Sequence, residues 1–114
     1  MKEGIYSVVF ESNMPALALG EGIIVVSDGC IHGGDIAFTC RGVLRPPEVS
    51  LEIYRYDQEI PSILGMEGDY VLDMRYRRTR EGEYTFTGQV RGDPARGLNV
   101  YALFLSPLIN ITCR

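Results

Sequence analysis

The sequence predicts an all-β chain folded as an eight-stranded antiparallel up-and-down barrel with at most one short helical turn. Three observations predict it. Apolar and polar residues alternate in short runs along the whole chain, with the period of two that half-buried strands impose. Turn-forming residues punctuate those runs at close spacing, as they do between the strands of a meander. No segment sustains the 3.6-residue period of an amphipathic helix. Evenly spaced strands joined by hairpins favour an up-and-down order, and closure removes the exposed edges. A two-sheet sandwich is the alternative with the same pattern.

The first strand covers residues 4–11 and ends at Ser12-Asn13-Met14-Pro15. Residues 19–26 follow, interrupted by Gly20 and Gly22, and close at Ser27-Asp28-Gly29. Asp-Gly between two apolar runs signals a hairpin, because both central positions of the tight turn require positive φ. Cys30-Ile31-His32 is the short return arm, and Gly33-Gly34-Asp35 turns the chain into residues 36–44. Arg45-Pro46-Pro47 interrupts the pattern, since proline donates no ladder hydrogen bond. Residues 48–56 resume it, with Val49, Leu51 and Ile53 on one face and Ser50 and Glu52 on the other. Residues 60–65 do not alternate and read as a short helical turn or a buried loop. In residues 69–77, Tyr70, Leu72, Met74 and Tyr76 face inward, while Asp73, Arg75 and Arg77 face water. Residues 83–91 turn Tyr84, Phe86 and Val90 inward, and residues 98–105 form the last strand.

That last strand departs from alternation. In Val100-Tyr101-Ala102-Leu103-Phe104-Leu105 both faces are apolar, and Pro107-Leu108-Ile109 continues the character. A strand with one face in water should alternate, so the outer face needs cover from the chain's own tail or from a second subunit. The expectation adopted is a homodimer through Tyr101, Leu103 and Leu105.

A length of 114 residues suits one domain, residues 1–114. With 46% apolar and 23% charged residues the composition is that of a globular protein, able to bury a core without disulfides or metal. A net charge of −4 opposes bulk attraction to nucleic acid or anionic lipid, so neither direct nucleic-acid binding nor membrane binding is expected. No apolar stretch approaches the ~20 residues of a spanning helix. Met1-Lys2-Glu3-Gly4-Ile5 leads into a strand pattern without a secretory apolar region, and a cytoplasmic location is expected. Cys30, Cys40 and Cys113 are odd in number and widely spaced, which reads as reduced, mostly buried thiols.

No catalytic, metal or cofactor site emerges, and the chain reads as a non-enzyme. His32 is the single histidine, and with scattered cysteines it makes no zinc pattern. Gly20-Glu21-Gly22 lacks the third glycine of a dinucleotide loop and precedes a strand; a strand bend or a tight packing site explains it. Gly33-Gly34-Asp35 is followed by no Lys-Ser/Thr and reads as a turn. Glu48, Glu52, Glu59, Glu67 and Asp69 are numerous enough for an acid–base pair, yet acids at strand ends are ordinary. Arg91-Gly92-Asp93 reads as a turn, and Asn110-Ile111-Thr112 fits a glycosylation acceptor that only secretion would use. The basic run Arg75, Arg77, Arg78 and Arg80, with Arg91 and Arg96 nearby, reads as a solvated hairpin face, the functional alternative being an anchor for an acidic partner or a phosphate. Phe10, Tyr70, Leu72, Met74, Tyr84, Phe86 and Phe104 point inward, where they either fill the barrel or line a cavity for one apolar small molecule.

Several phrases stand out together. They are Lys2-Glu3-Gly4-Ile5-Tyr6-Ser7 with Phe10 and Asn13, Gly20-Glu21-Gly22-Ile23, Gly33-Gly34-Asp35-Ile36-Ala37 and Gly42-Val43-Leu44. Arg55-Tyr56 followed by Glu59-Ile60-Pro61-Ser62-Ile63-Leu64 is the most specific, with Asp69-Tyr70 after it. Val90-Arg91-Gly92, Val100-Tyr101-Ala102 and Pro107-Leu108 complete the set, and together, over most of the chain with residues 75–89 excepted, these phrases resemble the GrlR family, small negative regulators of type III secretion gene expression. The resemblance implies a lipocalin-like, eight-stranded barrel, a homodimer, and regulation by sequestering a transcription activator. In the family's best-studied member an acidic Glu-Asp-Glu-Asp loop between two strands makes that contact. The corresponding stretch here is Arg45-Pro46-Pro47-Glu48, where only Glu48 is acidic and Arg45 reverses the sign. The fold that the resemblance implies therefore carries over, but the specific activator contact does not. A lipocalin-like carrier or sensor of an apolar molecule is the alternative function.

Overall fold

A computed structural model describes residues 1–13 and 19–109. Met14, Pro15, Cys113 and the Asn110-Ile111-Thr112 acceptor pattern lie outside them. Eight strands run β1 (Gly4–Ser12), β2 (Leu19–Ser27), β3 (Cys30–Gly34), β4 (Phe38–Arg45), β5 (Glu48–Arg55), β6 (Tyr70–Arg80), β7 (Glu83–Val90) and β8 (Asp93–Ser106). Each pairs antiparallel with its neighbour in sequence, and β8 pairs back on β1 to close the barrel. Closure decides between the two expected architectures: there is one continuous ladder, not two packed sheets. Among the described residues no helix is long and apolar enough to cross a membrane.

The turns follow from their residues. Asp28 (φ 51°) and Gly29 (φ 73°) both take the positive φ that a two-residue hairpin demands. Pro46 and Pro47, joined by a cis peptide bond, occupy the β4–β5 turn, where no ladder donor is missed. Strand β4 begins at Phe38, two residues later than alternation suggested. The reason is Asp35, whose Oδ1 accepts from the amides of Ala37 (2.7 Å) and Phe38 (3.0 Å) and holds a local turn. Residues 60–65 form no helix. They make a loop with one turn, Gly65 N–H to Ser62 O at 3.0 Å, that buries Leu64 completely.

Because consecutive strands are antiparallel, the connections alternate between the two ends of the barrel. The β2–β3, β4–β5 and β6–β7 turns share one end with the N-terminal residues. The β3–β4 and β5–β6 loops and the β7–β8 turn share the other. Inward faces match the alternation: β5 buries Val49, Leu51, Ile53 and Arg55, and β7 buries Tyr84, Phe86 and Val90. Gly20 and Gly22 are tight packing sites on β2. The Phe10 ring occupies the space a Gly20 side chain would need, and a Cβ at Gly22 would lie 2.7 Å from the Gly34 carbonyl oxygen.

Candidate functional site

The two halves of the barrel interior differ. Near the N-terminal end aromatic rings fill it. Tyr6, fully buried, packs edge-on against Tyr84 at 5.8 Å and Phe104 at 5.5 Å, and Tyr76 lies 5.4 Å from Phe86. The Tyr6 hydroxyl donates to the Lys2 carbonyl at 2.5 Å, the Lys2 amide donates to the Tyr84 hydroxyl at 3.1 Å, and the Lys2 ammonium sits 4.2 Å above the Phe104 ring. Burial, reinforced by Tyr84, pushes the Tyr6 phenol up to about 12.

Toward the other end the interior is a cavity of about 650 Å³. That is within the size of pockets that enclose a small molecule. Its walls are mostly aliphatic: Val8, Ile24, Ile31, Leu51, Ile53, Leu72, Leu98 and Val100, with Phe10, Phe38 and Phe86. The β5–β6 loop lies across the opening through Ile60, Ile63 and Leu64, and Leu19 and Ile36 hold apolar side chains exposed at the rim.

One polar cluster faces this apolar space. Arg55 is buried, and its guanidinium donates to the carbonyls of Met66 (2.7 Å) and Ile60 (2.6 Å), tying both ends of the loop to β5. The loop is held again from β8, where the Arg96 guanidinium donates to the Leu64 carbonyl and to Asp93 Oδ2 (2.8 Å). Tyr70 is raised above the ordinary phenol range by burial, with the Ser62 hydrogen bond and the Arg55 charge opposing. Burial, then Asp35, pushes the Cys40 thiol up to about 11, so this cavity thiol is mostly protonated and a poor nucleophile near neutral pH.

Of the residues expected inside, Phe10, Tyr70, Leu72 and Phe86 line the cavity. Met74, Tyr84 and Phe104 belong instead to the filled half, packed in or against the core. Arg55 is the residue sequence reasoning passed over. The β5 alternation carried two residues further, from Ile53 to Arg55, puts it inside.

A second feature lies on the outside of the β8–β1–β2 seam. Tyr101 (45% exposed), Leu103 (49%) and Leu105 (53%) on β8 adjoin Val9 (41%) on β1 and Ile23 (45%) on β2. Val9 pairs with Tyr101, and Ser7 pairs with both Leu103 and Ile23, so the five form one patch. The Tyr101 hydroxyl donates to Glu11 Oε1 at 2.8 Å along its border.

The remaining candidates are dispersed. Arg45, Pro46, Pro47 and Glu48 form an exposed tip at the end away from the cavity opening. Glu48 is engaged there by Arg75 at 3.1 Å, which leaves Arg45 to set the sign of the tip. Arg80 pairs with Glu83 at 2.9 Å, whereas Arg91, beyond the far end of β7, grips Asp73 at 2.7 and 3.0 Å and Ser50 at 3.0 Å. The basic residues are thus split between the two ends of the barrel. His32 is exposed and Cys30 half-buried on β3, and among the described residues no three metal-binding side chains cluster. No protein-family model matches the chain, and no curated protein does.

Proposed function

We propose that this protein is a non-enzymatic regulator that acts through protein–protein contact, assembled as a homodimer across the β8–β1–β2 seam. The observation that supports it is the apolar patch of Val9, Ile23, Tyr101, Leu103 and Leu105. A second copy is the partner that fits. The net charge of −4 repels another copy at most approaches, but these five side chains carry no charge. A twofold contact places each apolar patch against its equal. The regulatory role, sequestration of a transcription activator of a secretion-type gene cluster, comes from the resemblance to the GrlR family. The Arg45–Glu48 tip is a poor mimic of that family's acidic loop, so the activator contact belongs on another surface or with a less basic partner.

Light scattering after gel filtration tests the association: a dimer is expected, and Leu103→Glu is expected to run as a folded monomer with unchanged β-sheet circular dichroism. A monomeric wild type would overturn it. Native mass spectrometry of protein taken gently from its host tests the role. A stoichiometric regulatory protein on the dimer is the expected result; none, together with unchanged transcription on deletion, would remove it. A second reading has its own observation. The apolar cavity favours a carrier or sensor of a small molecule, and such a molecule and a protein partner are compatible on one barrel.

A further inference from the structure

We infer that the cavity takes a single-chain amphiphile with an anionic head group, the head seated against Arg55 and the chain among the aliphatic walls. The inference rests on the second reading above, that the barrel holds an apolar molecule. Arg55 is the one buried charged side chain among the described residues, 8% exposed, and it stands in the cavity wall. The ion pairs of the described residues join other arginines to carboxylates and do not include Arg55. Its guanidinium donates to the neutral carbonyls of Ile60 and Met66. A guanidinium offers five N–H donors, and a cation held out of water without an anion is costly. A carboxylate or phosphate supplies the missing charge in the geometry that arginine recognises best.

The acids nearby do not take that place: Asp69 is exposed, and its Oδ1 accepts from the Arg55 backbone amide at 3.1 Å rather than from the guanidinium. Asp35 already accepts two backbone amides through Oδ1, and Glu21 is exposed. The remaining wall is apolar enough to hold a chain but offers a second charge nothing comparable. The exposed Leu19 and Ile36 place apolar side chains at the rim, beside the acids Glu21 and Asp35, and give an entering chain an apolar contact there. The β5–β6 loop hangs from the same guanidinium, so a head group that recruits Arg55 also acts on the loop across the mouth.

Isothermal titration with three probes of equal chain length tests this: laurate, dodecyl phosphate and dodecanol. Wild-type protein is expected to bind at least one anionic probe about tenfold or more tighter than dodecanol. Whichever anion binds tighter identifies the head as carboxylate or phosphate. Arg55→Met is expected to erase the preference while still binding dodecanol. Because the preference is read on the wild type, an unfolded variant would leave the test intact. Equal affinity for dodecanol and both anions would overturn the head-group assignment and leave an apolar cavity. Failure of all three probes to bind would overturn the cavity reading itself.

Discussion

The two halves of this barrel are built from the same strands, yet one is solid and the other hollow. Around Tyr6, Tyr84 and Phe104 the rings interlock edge to face, and the inward-facing residues are large. Around Ile24, Leu51 and Leu98 the residues are aliphatic, and the room left by the missing side chain at Gly20 is taken by the Phe10 ring. Eight strands enclose a space that side chains can just fill, so modest differences in residue volume decide between a core and a container.

The largest expected effect is Tyr6→Ala. It removes a fully buried ring from the filled half and should cost about 3–5 kcal/mol in urea denaturation. Additions should separate the halves next. Ala102→Leu enlarges a buried residue paired with Tyr84 and is expected to cost about 1–3 kcal/mol by overpacking. Leu51→Phe adds volume facing the cavity and should stay within about 1 kcal/mol of wild type, or stabilise, while weakening laurate binding. Equal penalties for the two enlargements would mean that the hollow half is closed in solution. The smallest effect lies outside both. Hydrogen bonds from Arg91, with Ser50 assisting, hold the Asp73 carboxyl below its ordinary range. A carboxylate so depressed contributes stability above its unfolded pKa and loses it as pH falls through the lower folded value. Asp73→Asn should remove a small part of the acid-side loss of stability, seen as a flatter dependence of the urea midpoint on pH below the usual carboxylate range.

Much of the fold was legible because alternation and turn chemistry are local. Asp28-Gly29 marked its hairpin, and the inward faces of β5, β6 and β7 were read from a period of two. Element ends were less legible. Strand β6 runs on to Arg80 because Gly82, at φ 75°, closes the hairpin only there, and β4 starts late because the Asp35 side chain competes for backbone amides. The candidate cavity was half legible. Alternation tells which side chains point inward but not at what height along the barrel, which depends on register and strand tilt. Phe10 and Phe104 therefore looked equivalent in sequence, although one lines the cavity and the other the plug. Arg55 was hidden by its charge, since a basic residue at a strand end reads as solvated until the loop that buries it is seen.

The closure of β1 on β8 also has a kinetic consequence. Pairs such as Phe10 with Val100 join residues from nearly opposite ends of the chain, and such distant contacts form only after the nearer hairpins have reduced the loop that must be closed. Assembly is therefore expected to finish by zipping this seam. A chain stalled before that step presents two unpaired strand edges flanked by Val9, Tyr101 and Leu103, the combination that favours intermolecular β-pairing. Refolding yield should accordingly fall as protein concentration rises.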